Sequence, residues 1–289
     1  MSPAKGTPKR GVSLFSYQCM KNCSATLEDY FEDLADMGAT CIEILASDVE
    51  NYPNPSTAWV DKWFGLCEKY GITPGGYGHW CDTKLYGHRR LTTDEAVANL
   101  VRDFKLANLL GFHRLRTKIT TETRNNDPEP GWEKYIEKAL PFAEKYDVVI
   151  GSEIHDPTVI STPHVAEYIK FIERTGTEHF GFTLDFSTFQ DPAKINAAHF
   201  RPPVDDPAST REDLLGILPY VRHCHAKFYF MSEDFTEPAI PYEWIVPTLV
   251  DNGYSDCIIS EYQGGSKDDA FIMDQLRRHH VMLKRLLGY

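Results

Sequence analysis

Val148-Val-Ile-Gly-Ser-Glu-Ile-His155 is a β-branched run that ends on polar side chains, and Phe180-Gly-Phe-Thr-Leu-Asp185 repeats that form further along the chain. Between them, Thr162 followed by Pro163 sets an N-cap and a proline at the first helical position, opening a helix to about Arg174. Strand, helix, strand in this order is the unit of a parallel sheet.

The same alternation extends in both directions. Upstream, strands are expected at Gly11 to Tyr17, Thr40 to Leu45, Ile72 to Tyr77 and Phe112 to Ile119. The helices between them run from Ser24 to Met37, Thr57 to Tyr70, Asp94 to Leu110 and Trp132 to Tyr146. Leu27, Tyr30, Phe31, Leu34 and Met37 show the helical spacing, and Thr92 with Glu95 forms a capping box. Downstream come a long polar connection over 187–209, a short helix from Arg211 to Leu218, and a strand from Arg222 to Phe228. A helix from Pro241 to Val250, a strand from Cys257 to Ser260 and a last helix from Asp268 to Leu287 complete the pattern. Eight strand–helix repeats of about 36 residues predict an α/β fold, a single (β/α)8 TIM barrel over 11–289 behind a flexible tail of residues 1–10. A doubly wound sheet would carry a glycine-rich phosphate turn after strand one, and Ser16-Tyr-Gln-Cys-Met-Lys21 has no glycine.

Composition narrows the function classes. The net charge of −12 opposes binding to a phosphate backbone, so no nucleic-acid partner is expected. No apolar stretch reaches the roughly 18 residues of a membrane span, and no secretory signal is read at the N-terminus. Seven widely spread cysteines fit reduced thiols in a cytoplasmic protein better than a disulfide framework. Cys19 and Cys23 are read as ordinary thiols, because no second pair completes a zinc site.

In a barrel of this type the chemistry sits at the C-terminal ends of the strands. Strands five to eight end in Glu153, Asp185, the His223-Cys-His225-Ala-Lys227 run, and Glu261. One carboxylate at a strand end means little. Three carboxylates and an imidazole on four successive strands would be costly to bury together without a cation. Oxygen-rich donors with one imidazole suit Mn2+ first, with Mg2+ or Co2+ as alternatives. One divalent metal ion on Glu153, Asp185, His225 and Glu261 is therefore expected.

These stretches, Glu153-Ile-His-Asp-Pro157, Gly181-Phe-Thr-Leu-Asp185, His223-Cys-His-Ala-Lys227 and Ser260-Glu-Tyr-Gln-Gly264, resemble the xylose isomerase-like barrels, the family of sugar isomerases, 3-epimerases and related dehydratases. The resemblance implies metal binding by the same four residues, with Glu153 and Glu261 also moving protons beside a substrate carbonyl. The implied activity is a metal-dependent sugar isomerase or epimerase working through a metal-stabilised enediolate. One position departs: the ketose 3-epimerases usually carry histidine three residues after the aspartate ligand, where this chain has Thr188. His155 shares the strand face of Glu153 and reads either as a separate base or as a pocket hydrogen-bonding group. A separate base suits β-elimination from 3-oxo-glycosides, the reaction of C-glycoside deglycosidases. Those relatives resemble this chain in strands five and seven and work with a small second subunit.

Around this centre, Glu43, His79, Trp80, Arg116 and Lys227 are candidate contacts for a sugar or oxo-sugar substrate. Four of them have a structural alternative, core packing for Trp80 and ion pairing within the barrel for Glu43, Arg116 and Lys227. Two further readings remain, a metal-free glycosidase using Glu153 and Glu261 and a non-catalytic barrel subunit. The apolar side chains of the last helix fit either barrel packing or a homo-oligomer interface.

Overall fold

The structure, a computed structural model, describes residues 6–19, 24–81, 83, 89–119, 126–194 and 208–289. Eight strands close into one parallel barrel in chain order. They are β1 (Lys9–Ser13), β2 (Cys41–Leu45), β3 (Thr73–Gly78), β4 (Arg114–Thr117), β5 (Val149–Ile154), β6 (Phe180–Asp185), β7 (Val221–Phe228) and β8 (Cys257–Tyr262). The outer ring comprises α1 (Leu27–Asp36), α2 (Thr57–Tyr70), α3 (Thr93–Leu109), α4 (Trp132–Lys145), α5 (Pro163–Thr175), α6 (Arg211–Ile217), α7 (Tyr242–Asp251) and α8 (Asp269–Leu287). The single (β/α)8 barrel read from the alternation is thus the fold.

Local chemistry sets the helix ends. Thr92 and Glu95 close the capping box in front of α3, and Thr26 with Asp29 does the same for α1. Thr162 stands at the N-cap of α5, but its hydroxyl donates back to the Val159 carbonyl at 2.8 Å instead of capping. The core lies in the layer between barrel and helices, where Phe31, Trp63, Phe104, Phe112, Tyr168, Phe180 and Phe182 are fully buried.

The first strand starts earlier than the residue pattern indicated. Lys9 and Arg10 belong to β1, not to a tail, because Lys9 pairs with Cys257 and Arg10 with Ile258 of β8. The Arg10 guanidinium is buried and donates to the His280 and Gly38 carbonyls. Phe15 to Tyr17 leave the strand for a 3-10 turn, Leu14–Cys19, where Ser16 Oγ accepts from the Tyr262 amide at 2.9 Å. Residues 1–5, Cys23 and 195–207 of the long connection lie outside the described residues.

Glycines in β3 make room for what the barrel holds. A Cβ at Gly76 would stand 2.8 Å from a Glu43 carboxylate oxygen and 2.9 Å from His223 Nε2. One at Gly78 would stand 2.7 Å from Leu45 and 2.9 Å from an Arg116 guanidinium nitrogen. Gly76 and Gly78 thus leave room for the side chains of Glu43, His223, Leu45 and Arg116, and Gly75 for those of Cys41, Cys257 and Ile259.

Candidate active site

The strand-end residues converge at the C-terminal mouth of the barrel. His225 is the hub. Its Nδ1 lies 3.0 Å from Glu261 and 3.4 Å from Glu153, and its Nε2 lies 2.8 Å from Glu43. Donor atoms of Glu153, His225 and Glu261 fall within 4.8 Å of one another, as do those of Glu43, His223 and His225. Asp185 stands beside the first trio. One of its oxygens accepts from the Ser187 amide, and the other is 2.7 Å from Lys227 Nζ, which also reaches Glu261 at 3.3 Å. Arg116 bridges Glu153 at 3.2 Å and Glu43 at 3.5 Å.

The charges in this contact network are unbalanced. Four buried carboxylates (Glu43, Glu153, Asp185, Glu261) face two permanent cations, Arg116 and Lys227. The remainder, about two negative charges, matches one divalent ion. Burial pushes against ionisation throughout, yet Lys227 and His225 hold the Glu261 carboxyl down at about 2. Glu43 and Glu153 are likewise held well below the usual carboxylate range, Glu43 chiefly by His225 and Arg116, and Glu153 chiefly by Arg116. Asp185 moves the other way, raised by burial and by Glu261 and Glu153 despite Lys227. His225 is raised well above the imidazole range because Glu43 and Glu261 outweigh its burial. Surplus negative charge thus draws a proton onto the very imidazole whose Nδ1 faces the carboxylate pair. The donor set fits a hard divalent cation, with Glu153, His225 and Glu261 grouped and Asp185 adjoining them.

Above this cluster opens a cavity of about 470 Å3, a size suited to a small molecule. Glu153, Glu261, Lys227, Arg116 and His155 line its polar side, and Phe15, Leu45, Val49 and Trp80 its apolar side. His155 Nδ1–H donates to the Asp156 carbonyl at 2.5 Å, which leaves Nε2 as the nitrogen able to accept a proton. His79 and the half-exposed Trp80 stand on the rim, with Lys118 Nζ 4.5 Å from the Trp80 ring centre. Core packing of Trp80 is therefore ruled out. Glu43 does not line the cavity. It is completely buried beneath it, occupied by Ser13, His223, His225 and Arg116, so the expected substrate contact becomes a support for His225. Thr188 also turns away. Its hydroxyl bonds the Thr158 carbonyl at 2.9 Å and Ser209 Oγ at 2.8 Å. Lys118, Tyr52 and Gln263 line the cavity without having been singled out from the sequence. Lys118 had a readable signal, since it shares the strand face of Arg116 two residues earlier.

Residues 31–284 match the family model described as xylose isomerase-like TIM barrel. The chain belongs to that family. Among curated proteins it is 26% identical to a C-glycoside deglycosidase alpha subunit of Arthrobacter globiformis, over 84% of this chain and 81% of the relative. It is 24% identical to a 3'-dehydrocarminate deglycosidase alpha subunit of Microbacterium sp., over 99% and 97%. Among solved structures, a D-psicose 3-epimerase superposes with a TM-score of 0.68 at 17% identity, covering 97% of this chain and 100% of that one. A probable 3-DHS dehydratase of Bacillus anthracis gives 0.66 at 13% identity, over 96% and 98%. At such identities the structural likeness speaks for the fold alone. No helix among the described residues is long and apolar enough to cross a membrane.

Proposed function

We propose that this chain is a metal-dependent lyase that removes the proton beside the carbonyl of an oxo-glycoside and releases the group β to that carbonyl. The observation that carries the reading is His155, an imidazole on the cavity wall with Nδ1 fixed and Nε2 without a hydrogen-bond partner among the described residues, separate from the residues that would hold the metal. A divalent ion held by Glu153, His225 and Glu261, with Asp185 as fourth side chain, would supply positive charge to the substrate oxygens and stabilise the negative charge that develops there. His155 Nε2 takes the proton. Lys227 and Arg116, both lining the cavity, hold the carboxylates ionised and anchor sugar oxygens. Two deglycosidase alpha subunits that align over most of their length support the oxo-glycoside substrate. Their names also support a second subunit, which we expect to be small.

The epimerase reading has its own support. Glu153 and Glu261 line one cavity from two strands, as two-base proton return requires. Against it, the Thr188 position offers the cavity no imidazole. Incubation with 3-oxo-glycosides in deuterated water separates the two. The lyase reading predicts aglycone release. Deuterium incorporation with inversion of the sugar and no released group would overturn it in favour of the epimerase.

A further inference from the structure

A second imidazole faces the cavity, from the end of β3, two strands round the barrel from the β5 that carries His155. His79 follows β3, which lies across the closed barrel from β7 and its Lys227. Its backbone amide donates to the Arg116 carbonyl at 3.0 Å, and its Nδ1–H donates to Asp103 Oδ2 at 2.8 Å. Asp103, buried on α3, is itself fixed by the hydroxyls of Tyr52 at 2.8 Å and Tyr77 at 3.1 Å. Burial opposes its charge, but the bonds from His79 and Tyr52, with the Arg102 guanidinium 3.3 Å from the same Oδ2, outweigh that and keep it ionised. The other ring nitrogen of His79, Nε2, has no protein partner among the described residues. A buried carboxylate that fixes one imidazole nitrogen, with the second nitrogen turned to a cavity, is the arrangement of a proton-transfer dyad. Loosely held rim histidines lack such a support.

We infer that His79, held by Asp103, hands a proton to the departing group. The inference rests on the lyase reading. His155 Nε2 takes the proton from the carbon next to the ketone, and that C–H electron pair passes into the carbonyl. When the pair returns, it forms the carbon–carbon double bond, and the bond from the anomeric carbon to the aglycone breaks. The aglycone keeps that bonding pair and takes the Nε2 proton of His79. His155 then returns its proton to solvent, and His79 recovers one. One proton has moved from carbon to the leaving group, with no oxidant or reductant needed. The two imidazoles occupy different walls because the two proton transfers occur at different atoms.

The test uses aryl 3-oxo-glucosides with leaving groups from para-nitrophenol, which departs without help, to para-cresol, which does not. Wild type, His79→Gln and Asp103→Asn are compared for phenol release and for deuterium uptake beside the ketone. Release of para-cresol should fall about 100-fold or more in His79→Gln. Release of para-nitrophenol and deuterium uptake should stay near wild type. Asp103→Asn, which keeps a hydrogen-bonding side chain, should show the same selectivity with a smaller loss. Equal loss for every leaving group, or loss of deuterium uptake in parallel, overturns the role of His79 while the lyase reading stands. If wild type neither exchanges nor releases any phenol, the lyase reading itself fails and His79 with it.

Discussion

Glu43→Gln is the substitution with the most to reveal. The carboxylate is fully buried, accepts from three donors, Ser13 Oγ at 2.8 Å, His225 Nε2 at 2.8 Å and His223 Nε2 at 3.2 Å, and pairs by charge with Arg116 Nε at 3.5 Å. Glutamine fills the same space but keeps one acceptor oxygen, and its amide turns a donor toward the rest. Ser13 can rotate to accept, whereas the protonated imidazole and the guanidinium cannot. One buried donor facing a donor costs about 1–3 kcal/mol, and loss of a charge beside Arg116 adds to it. We expect metal-free Glu43→Gln to be destabilised by about 3 kcal/mol in urea unfolding. Glu43 also fixes which nitrogen of His225 carries the proton, since Nε2–H donates to it and Nδ1 is left for the metal. Supports of that kind are worth about 10–100-fold in metal affinity. A competition titration with a chelating dye should show Mn2+ bound weaker by that factor at unchanged stoichiometry. Wild-type stability together with wild-type affinity would refute the assignment of Glu43 as the support of His225.

Other consequences follow from the same geometry. His225 is held protonated by its carboxylate neighbours in the metal-free protein, so binding at Nδ1 must expel a proton. Metal affinity should rise about tenfold per pH unit between about pH 6 and pH 8, measured by the same titration, and a flat profile would contradict this. In Glu237, burial lifts the carboxyl from 4.5 to about 7 against bonds from the Ala239 and Ile240 amides. The folded state therefore holds a proton that the unfolded state has lost, and stability falls by about 3 kcal/mol as pH rises from the unfolded to the folded value. Glu237→Gln should melt higher than wild type at about pH 8 and no higher at about pH 5; equal melting at both would remove the effect. Thr188→Val should cost about 1 kcal/mol of stability through its lost bonds to Thr158 and Ser209, with KM for the oxo-glycoside unchanged. A large rise in KM would return Thr188 to the cavity.

The barrel was legible because each strand–helix repeat announces itself locally, by β-branched runs, capping boxes and proline at a first helical turn. The strand-end chemistry was legible too. Glu153, Asp185 and Glu261 each close a largely apolar strand run, and donor atoms of Glu153 and Glu261 meet those of His225 within 4.8 Å of one another. What could not be read were partnerships across the barrel. Glu43 and His225 are separated by 182 positions, and no periodicity links them. Asp103 lies on the outer helix α3, where its spacing reads as an ordinary polar position, yet it is buried and holds His79. Arg10 read as tail because Met1 to Arg10 is basic and rich in Pro and Gly, and its partner His280 lies on the last helix.

The most direct test of the central claim is chelator-treated protein, reloaded with one divalent ion per chain and given a 3-oxo-glycoside in deuterated water. The account predicts that the treated protein is inactive, and that one Mn2+ per chain restores deuterium uptake beside the ketone and release of the aglycone together. Undiminished release after complete metal removal would contradict it.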